Sequence, residues 1–174
     1  TADGAQKTRR MIELADTYGT RPDVLYPPVD SIPCERSWED REDGVVVVGR
    51  IAPDKRILDA IRVVDAVRDR GRDLHLHVVG TASPAYRRYV ERVVATAAER
   101  PHVTLHRDVT RRRLESLLCR HKYGLNMKSN EHFGMAVAEY VAAGMVAFAP
   151  DSGGQREVLD GRTDRLFESP AAAV

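Results

Sequence analysis

The segment Gly44-Val45-Val46-Val47-Val48-Gly49-Arg50-Ile51-Ala52-Pro53-Asp54-Lys55 decides how the rest of the chain reads. Four consecutive β-branched residues with no polar alternation suit a strand buried on both faces, as in a parallel sheet. Arg50 to Asp54, containing Pro53, is a loop. Ile57, Leu58, Ile61, Val64 and Val67 then recur at helical spacing, and Gly71 closes that helix.

Working outward, the alternation continues. Leu74 to Val79 is a second strand, and Ser83-Pro84 places a cap before a helix running to about Ala98. Val103 to His106 is a third strand. Thr110 caps a helix over Arg111 to Arg120, and Tyr123 to Met127 is a fourth strand. Phe133 to Ala143 is a helix ended by Gly144, followed by a fifth strand, Val146 to Ala149. A short helix around Gln155 to Leu159 and a last strand near Arg165 to Phe167 complete the run. Such repeats with short connections imply an α/β class, a Rossmann-like parallel sheet with helices on both faces. Ligands of these sheets bind at the carboxyl ends of the strands. The loops after Val48, Val79, His106, Met127 and Ala149 therefore form one rim.

Residues 1–43 differ from this pattern. Residues 5–18 read as a helix, Leu25 to Asp30 is held extended by its prolines, and Ser31 to Asp43 is polar and reads as a linker. The expected division is a helix and linker over 1–43 and one ligand-binding domain over 44–174. The absence of an initiator Met and the ending Ala-Ala-Ala-Val lead to the expectation of a fragment.

The 174 residues carry a formal net charge of +1, from 27 Lys+Arg against 26 Asp+Glu. That balance gives no reason to expect nucleic acid as partner. No apolar run approaches the ~18 residues of a membrane span, and the N-terminus has no signal-peptide core. The expectation is a cytoplasmic protein, with peripheral membrane contact as its alternative. Cys34 and Cys119 lie far apart outside any CxxC pattern, so two reduced thiols are expected.

Several rim residues can carry chemistry. Arg50 and Lys55, at the end of a strand and beside a helix start, make an anion site; the bland alternative is a pair of solvated charges. Glu131 falls in the loop after the fourth strand. Glu139 lies inside an apolar helix and needs a partner, either ligand hydroxyls or an arginine. Gly134 opens that helix, where the absent Cβ would let a ligand approach free amides or would simply allow close packing. Gly153-Gly154 offers a second helix start or an ordinary tight turn. His132 faces the rim. His75 and His77 share one strand face, but no third ligand has supporting spacing, so no metal is expected.

Taken together these residues resemble the group 1 glycosyltransferases, family four, of the GT-B fold. The resemblance runs from about Leu25 to about Phe167. It is carried by Leu25-Tyr26-Pro27-Pro28-Val29-Asp30, Gly49-Arg50 with Lys55, His77-Val78-Val79-Gly80, and the paired glutamates Glu131 and Glu139 with Phe133 and Gly134. Ala143-Gly144, Gly153-Gly154 and Glu157 follow in the family's order.

The resemblance implies the C-terminal, donor-binding half of a retaining enzyme. Arg50 and Lys55 would bind and stabilise the donor's diphosphate, and Glu131 would contact the donor sugar near the reacting carbon. Glu139 would accept from ribose hydroxyls. The amides of Phe133, Gly134, Met135 and Ala136 would hold sugar and phosphate, with His132 and Gly153 beside them. Gly80-Thr81 and the stretch at Val109 would border the base. No cofactor or metal is implied, because protein cations offset the leaving-group charge. The implied partners are a nucleotide sugar, an absent N-terminal acceptor-binding domain, and an acceptor glycan, lipid-linked or free.

The wording Asn130-Glu131-His132-Phe133-Gly134 is similar to mannosyltransferases that extend lipid-linked glycans, which implies GDP-mannose. Arg56 and Asp164 stand where the family commonly has glycine. With the N-terminal domain and a final helix expected to be missing, the fragment would bind donor weakly and transfer nothing. The competing readings are a non-catalytic nucleotide-sugar-binding module and a GT-B relative with other chemistry.

Overall fold

The computed structural model describes residues 25–174, together with Glu13 and residues 16–19. Most of the helix expected over 5–18 lies outside the described residues.

Six strands make one parallel sheet: β1 (Glu42–Val48), β2 (His75–Gly80), β3 (Val103–Arg107), β4 (His121–Leu125), β5 (Val146–Pro150) and β6 (Leu166–Phe167). The helices between them are α1 (Ile57–Asp69), α2 (Arg87–Ala98), α3 (Arg111–Arg120), α4 (Met135–Ala142) and α5 (Gln155–Val158). The strand order is β3-β2-β1-β4-β5-β6. The chain thus winds outward from β1 in one direction, then returns and winds outward from β4 in the other. The switch between β1 and β4 opens a crevice at their carboxyl ends, where such sheets take their ligands.

Both faces of the sheet are covered. Val45, Val47, Leu76 and Val78 pack with Ile57, Ile61, Val64 and Val93 of α1 and α2. Val46, Val79 and Ala147 pack with Leu117, Leu118, Val137 and Tyr140 of α3 and α4. The valine run of β1 contributes to both layers, which is why it shows no polar alternation.

Some boundaries move. β1 begins at Glu42 and β4 covers His121–Leu125 instead of Tyr123 to Met127. The fourth helix starts at Met135, because Gly134 before it has φ 101°, outside the helical region.

The expected linker is also packed onto the domain. Ile32 and Arg41 are buried, and Trp38 sits edge-on to Tyr123 with ring centroids 6.2 Å apart. The expectation of two reduced thiols is overturned: Cys34 and Cys119 form a disulfide across 85 residues of sequence. Separation in sequence hid this contact, because the segment before β1 runs back past the end of α3.

Candidate active site

The loop after β1 and the loop after β4 face each other across the switch point. A short 3-10 turn, Pro53–Lys55, swings the Lys55 side chain across the crevice. There its Nζ pairs with Glu131 Oε1, 76 residues away. The two side chains are only 18% and 15% exposed, so each relieves the other's cost of burial.

Lys128, from the same loop as Glu131, completes the arrangement. Its Nζ lies 3.5 Å from Glu131 Oε2 and 3.2 Å from Asp54 Oδ2. Asp54 in turn lies 3.8 Å from Arg50, whose side chain is 58% exposed. Three cations and two carboxylates therefore form one connected cluster. Arg50 reaches Glu131 only through Asp54 and Lys128.

The loop carrying Lys128 and Glu131 is held by buried amides. Asn126 Nδ2 donates to Gln155 Oε1 at 2.6 Å, and Gln155 Nε2 donates to the carbonyls of Pro150 at 2.8 Å and Lys128 at 3.2 Å. Both residues are almost fully buried, so their polar groups must pair internally. The turn after β5 braces the loop from the other side. Gly154 N donates to Glu131 O at 2.9 Å. Gly153 has φ 69°, and a Cβ there would fall 2.3 Å from the same carbonyl. Its glycine is required by backbone contact.

Gly134 likewise answers to backbone geometry. It caps α4 at φ 101°, and its α-carbon side faces Gln155, where a Cβ would sit 3.1 Å away. The first-turn amides of α4, at Met135 and Ala136, have no side-chain cap. Phe133 is covered by Tyr26, with ring centroids 5.8 Å apart, and the Tyr26 hydroxyl donates to Glu157 Oε2 at 2.7 Å. His132 is exposed.

Glu139 is 14% exposed and pairs with Arg111, the first residue of α3. Of the two partners the sequence left open, the molecule without ligand uses the arginine. This hydrogen bond holds the Arg111 guanidinium above its ordinary pKa, with Glu115 at 2.8 Å adding to it. Arg111 also lines a cavity of about 230 Å³ with Gly49, Gly80, Thr81 and Val109. The residues expected to border a base thus share a hollow with the partner of Glu139.

One further residue ties the two sides of the switch together. Tyr140 of α4 is fully buried, and its hydroxyl accepts from Val48 N at 2.7 Å and lies 3.4 Å from Leu125 O. Burial pushes its hydroxyl pKa upward.

Lys55, Glu131 and Glu139 were singled out from the residues themselves, and Gly80, Thr81 and Val109 through the family resemblance. Lys128, Asp54, Arg111, Asn126, Gln155 and Tyr140 were singled out in neither way. A buried Gln directly after Gly-Gly and an Asn ending an apolar strand were the available signals. Among the described residues no group of three His, Cys, Asp or Glu is arranged to hold a metal. No helix among them is long and apolar enough to cross a membrane.

The family described as "Glycosyl transferases group 1" matches residues 31–173. A GDP-Man:Man(3)GlcNAc(2)-PP-Dol alpha-1,2-mannosyltransferase of Candida glabrata is 28% identical over 145 residues, covering 75% of this chain and 29% of that protein. The chain thus spans under a third of the length of that relative. The pneumococcal O-GlcNAc transferase GtfA, solved with UDP and GlcNAc, superposes with a TM-score of 0.68 over 93% of this chain and 33% of that one, at 18% identity. The C-terminal domain of the group 1 family protein LpcC of Francisella tularensis gives 0.56 over 70% of this chain and 68% of that one, at 20% identity. With a match over most of its length, a Rossmann-like sheet like theirs and the paired glutamates on its rim, the chain belongs to the group 1 glycosyl transferases.

Proposed function

We propose that this chain binds the donor of a retaining glycosyltransferase, and that the donor is GDP-mannose. The observation that carries the proposal is the meeting of Lys55 and Glu131 at the switch point. A cation that can hold a diphosphate and an acid that can face a sugar sit at one crevice. The family match and the mannosyltransferase relative support the choice of chemistry and of donor.

In this reading Lys55 and Arg50 exchange their carboxylate partners for the donor's diphosphate. When the bond between the sugar's anomeric carbon and the phosphate oxygen breaks, its electron pair goes to that oxygen. The two cations offset the added charge without a metal. The acceptor hydroxyl forms the new bond and passes its proton to the departing phosphate oxygen. Glu131, freed from Lys55, faces the sugar beside His132. The amides at Phe133 to Ala136 lie where Gly153 and Gly154 brace them. Glu139 turns from Arg111 to the ribose, and the base occupies the hollow at Gly80, Thr81 and Val109.

The acceptor, a glycan that is lipid-linked or free, would be bound by an N-terminal domain across the crevice. Cytoplasmic residence with peripheral membrane contact suits such an acceptor. Calorimetric titration of the chain with GDP-mannose, UDP-glucose and ADP-glucose tests the reading. GDP-mannose is expected to bind most tightly, and absence of binding by all three sinks it.

A further inference from the structure

Lys55 and Arg56 are neighbours that leave the loop after β1 in different directions. Lys55 turns to Glu131, whereas Arg56 Nε donates to Asp59 Oδ2 at 2.8 Å on α1. Arg56 has φ 52°, a left-handed conformation in which a side chain is strained and glycine is at ease. What sets this arginine apart is where its guanidinium lies.

That guanidinium opens onto a cavity of about 780 Å³ between the starts of α1 and α2. The charged lining is Arg56, Arg62, Arg87, Arg88 and Arg92, with Asp59 as its one acid. Asp59 is already shared, since Arg62 Nη1 reaches its other oxygen at 2.7 Å. Arg87, Arg88 and Arg92 make no ion pair among the described residues. Arg88 and Arg92 stand one helical turn apart, where like charges repel. All this sits on a chain whose formal charge is +1. The concentration of positive charge is local, and Asp59 is the one carboxylate lining the cavity among the described residues.

We infer that this trough is an anion site distinct from the crevice, and that its ligand carries two or more phosphate groups. Guanidinium forks take phosphate oxygens in pairs. The lining sets five guanidinium charges against one carboxylate, and a single phosphate group brings only about two negative charges, so charge balance in a cavity of this size calls for a second phosphate. A phosphorylated lipid headgroup and a soluble polyphosphate present the same chemistry.

The test uses two probes on the whole chain: tripolyphosphate by calorimetry, and sedimentation with phosphatidylcholine vesicles with and without phosphatidylinositol bisphosphate. Arg88→Gln/Arg92→Gln removes two exposed guanidinium groups, and an unchanged Tm certifies its fold. The double variant is expected to weaken binding by at least about tenfold. Saturating GDP, which fills the crevice under the proposed function on which this control rests, is expected to leave it within twofold. Vesicle binding alone assigns a lipid, and tripolyphosphate binding alone assigns a soluble ligand. Failure of both probes overturns the site. So does binding that survives the double variant, or that saturating GDP abolishes.

Discussion

Lys55 and Glu131 meet across the sheet's switch point although 76 residues of chain separate them, and neither side chain is more than a fifth exposed. Under the proposed function, each holds the place that a group of the donor would take. The two substitutions should therefore move affinity in opposite directions. Lys55→Ala removes a charge-assisted contact to the diphosphate and should weaken GDP binding by at least about tenfold. Glu131→Gln releases Lys55 and should leave GDP binding unchanged or tighter. Calorimetry on both variants checks this, and a loss of GDP affinity in Glu131→Gln would place the acid on the nucleotide itself.

Glu139 and Arg111 pose the same question for the nucleoside end. If Glu139 accepts from ribose, Glu139→Ala should weaken guanosine binding about tenfold and leave pyrophosphate binding as it was. Equal loss for both ligands would mean that the variant disturbs α4 as a whole.

Tyr140 predicts a stability effect. Its hydroxyl accepts from Val48 N at 2.7 Å in a fully buried setting. Tyr140→Phe leaves that amide unpaired at a cost of about 1–3 kcal/mol. For a chain of this size the Tm should fall by roughly 2–10 °C. A calorimetric scan showing no change would mean that the amide finds another acceptor.

A fourth expectation concerns acid. His77 stacks on His121 with ring centroids 4.2 Å apart, and its Nδ1 lies 3.0 Å from His106 Nε2. Burial lowers the pKa of His77 and of His121 to about 4, from the ordinary 6.5, and lowers that of His106 as well. Glu42 opposes the shift at both rings, while Arg120 and His75 assist it at His121. Between pH 6.5 and 4 the unfolded chain takes up protons that the folded chain refuses. The stability these rings contribute is complete above pH 6.5 and is lost as pH falls toward 4. Tm measured across that range should drop in wild type and drop less in His77→Asn. Parallel curves would acquit the histidines.

The alternation of strands and helices was legible because β-branched runs and helical periodicities are local properties of sequence. The boundary of β4 was not, since His121 and Lys122 look like a helix end and become strand only through pairing with β1. Lys55 and Glu131 could be singled out because the rim rule places the ends of strands together whatever lies between them. Arg111 and Lys128 escaped because their roles depend on which neighbouring side chain they reach, a matter of rotamer and packing. Cys34 and Cys119 escaped for the same reason: their bridge depends on how the segment before β1 crosses α3.

The linked charges of Arg50, Asp54, Lys55, Lys128 and Glu131 have a consequence for selectivity. Their carboxylates are counter-ions tethered to the backbone, and they return as soon as a weak competitor leaves. A chloride or a single phosphate must displace one with a single contact. Under the proposed function a diphosphate would grip Lys55 and Arg50 at once, as a chelate, and hold both while the acids swing aside. On that reading the crevice would rank anions by valency before any base or sugar is read.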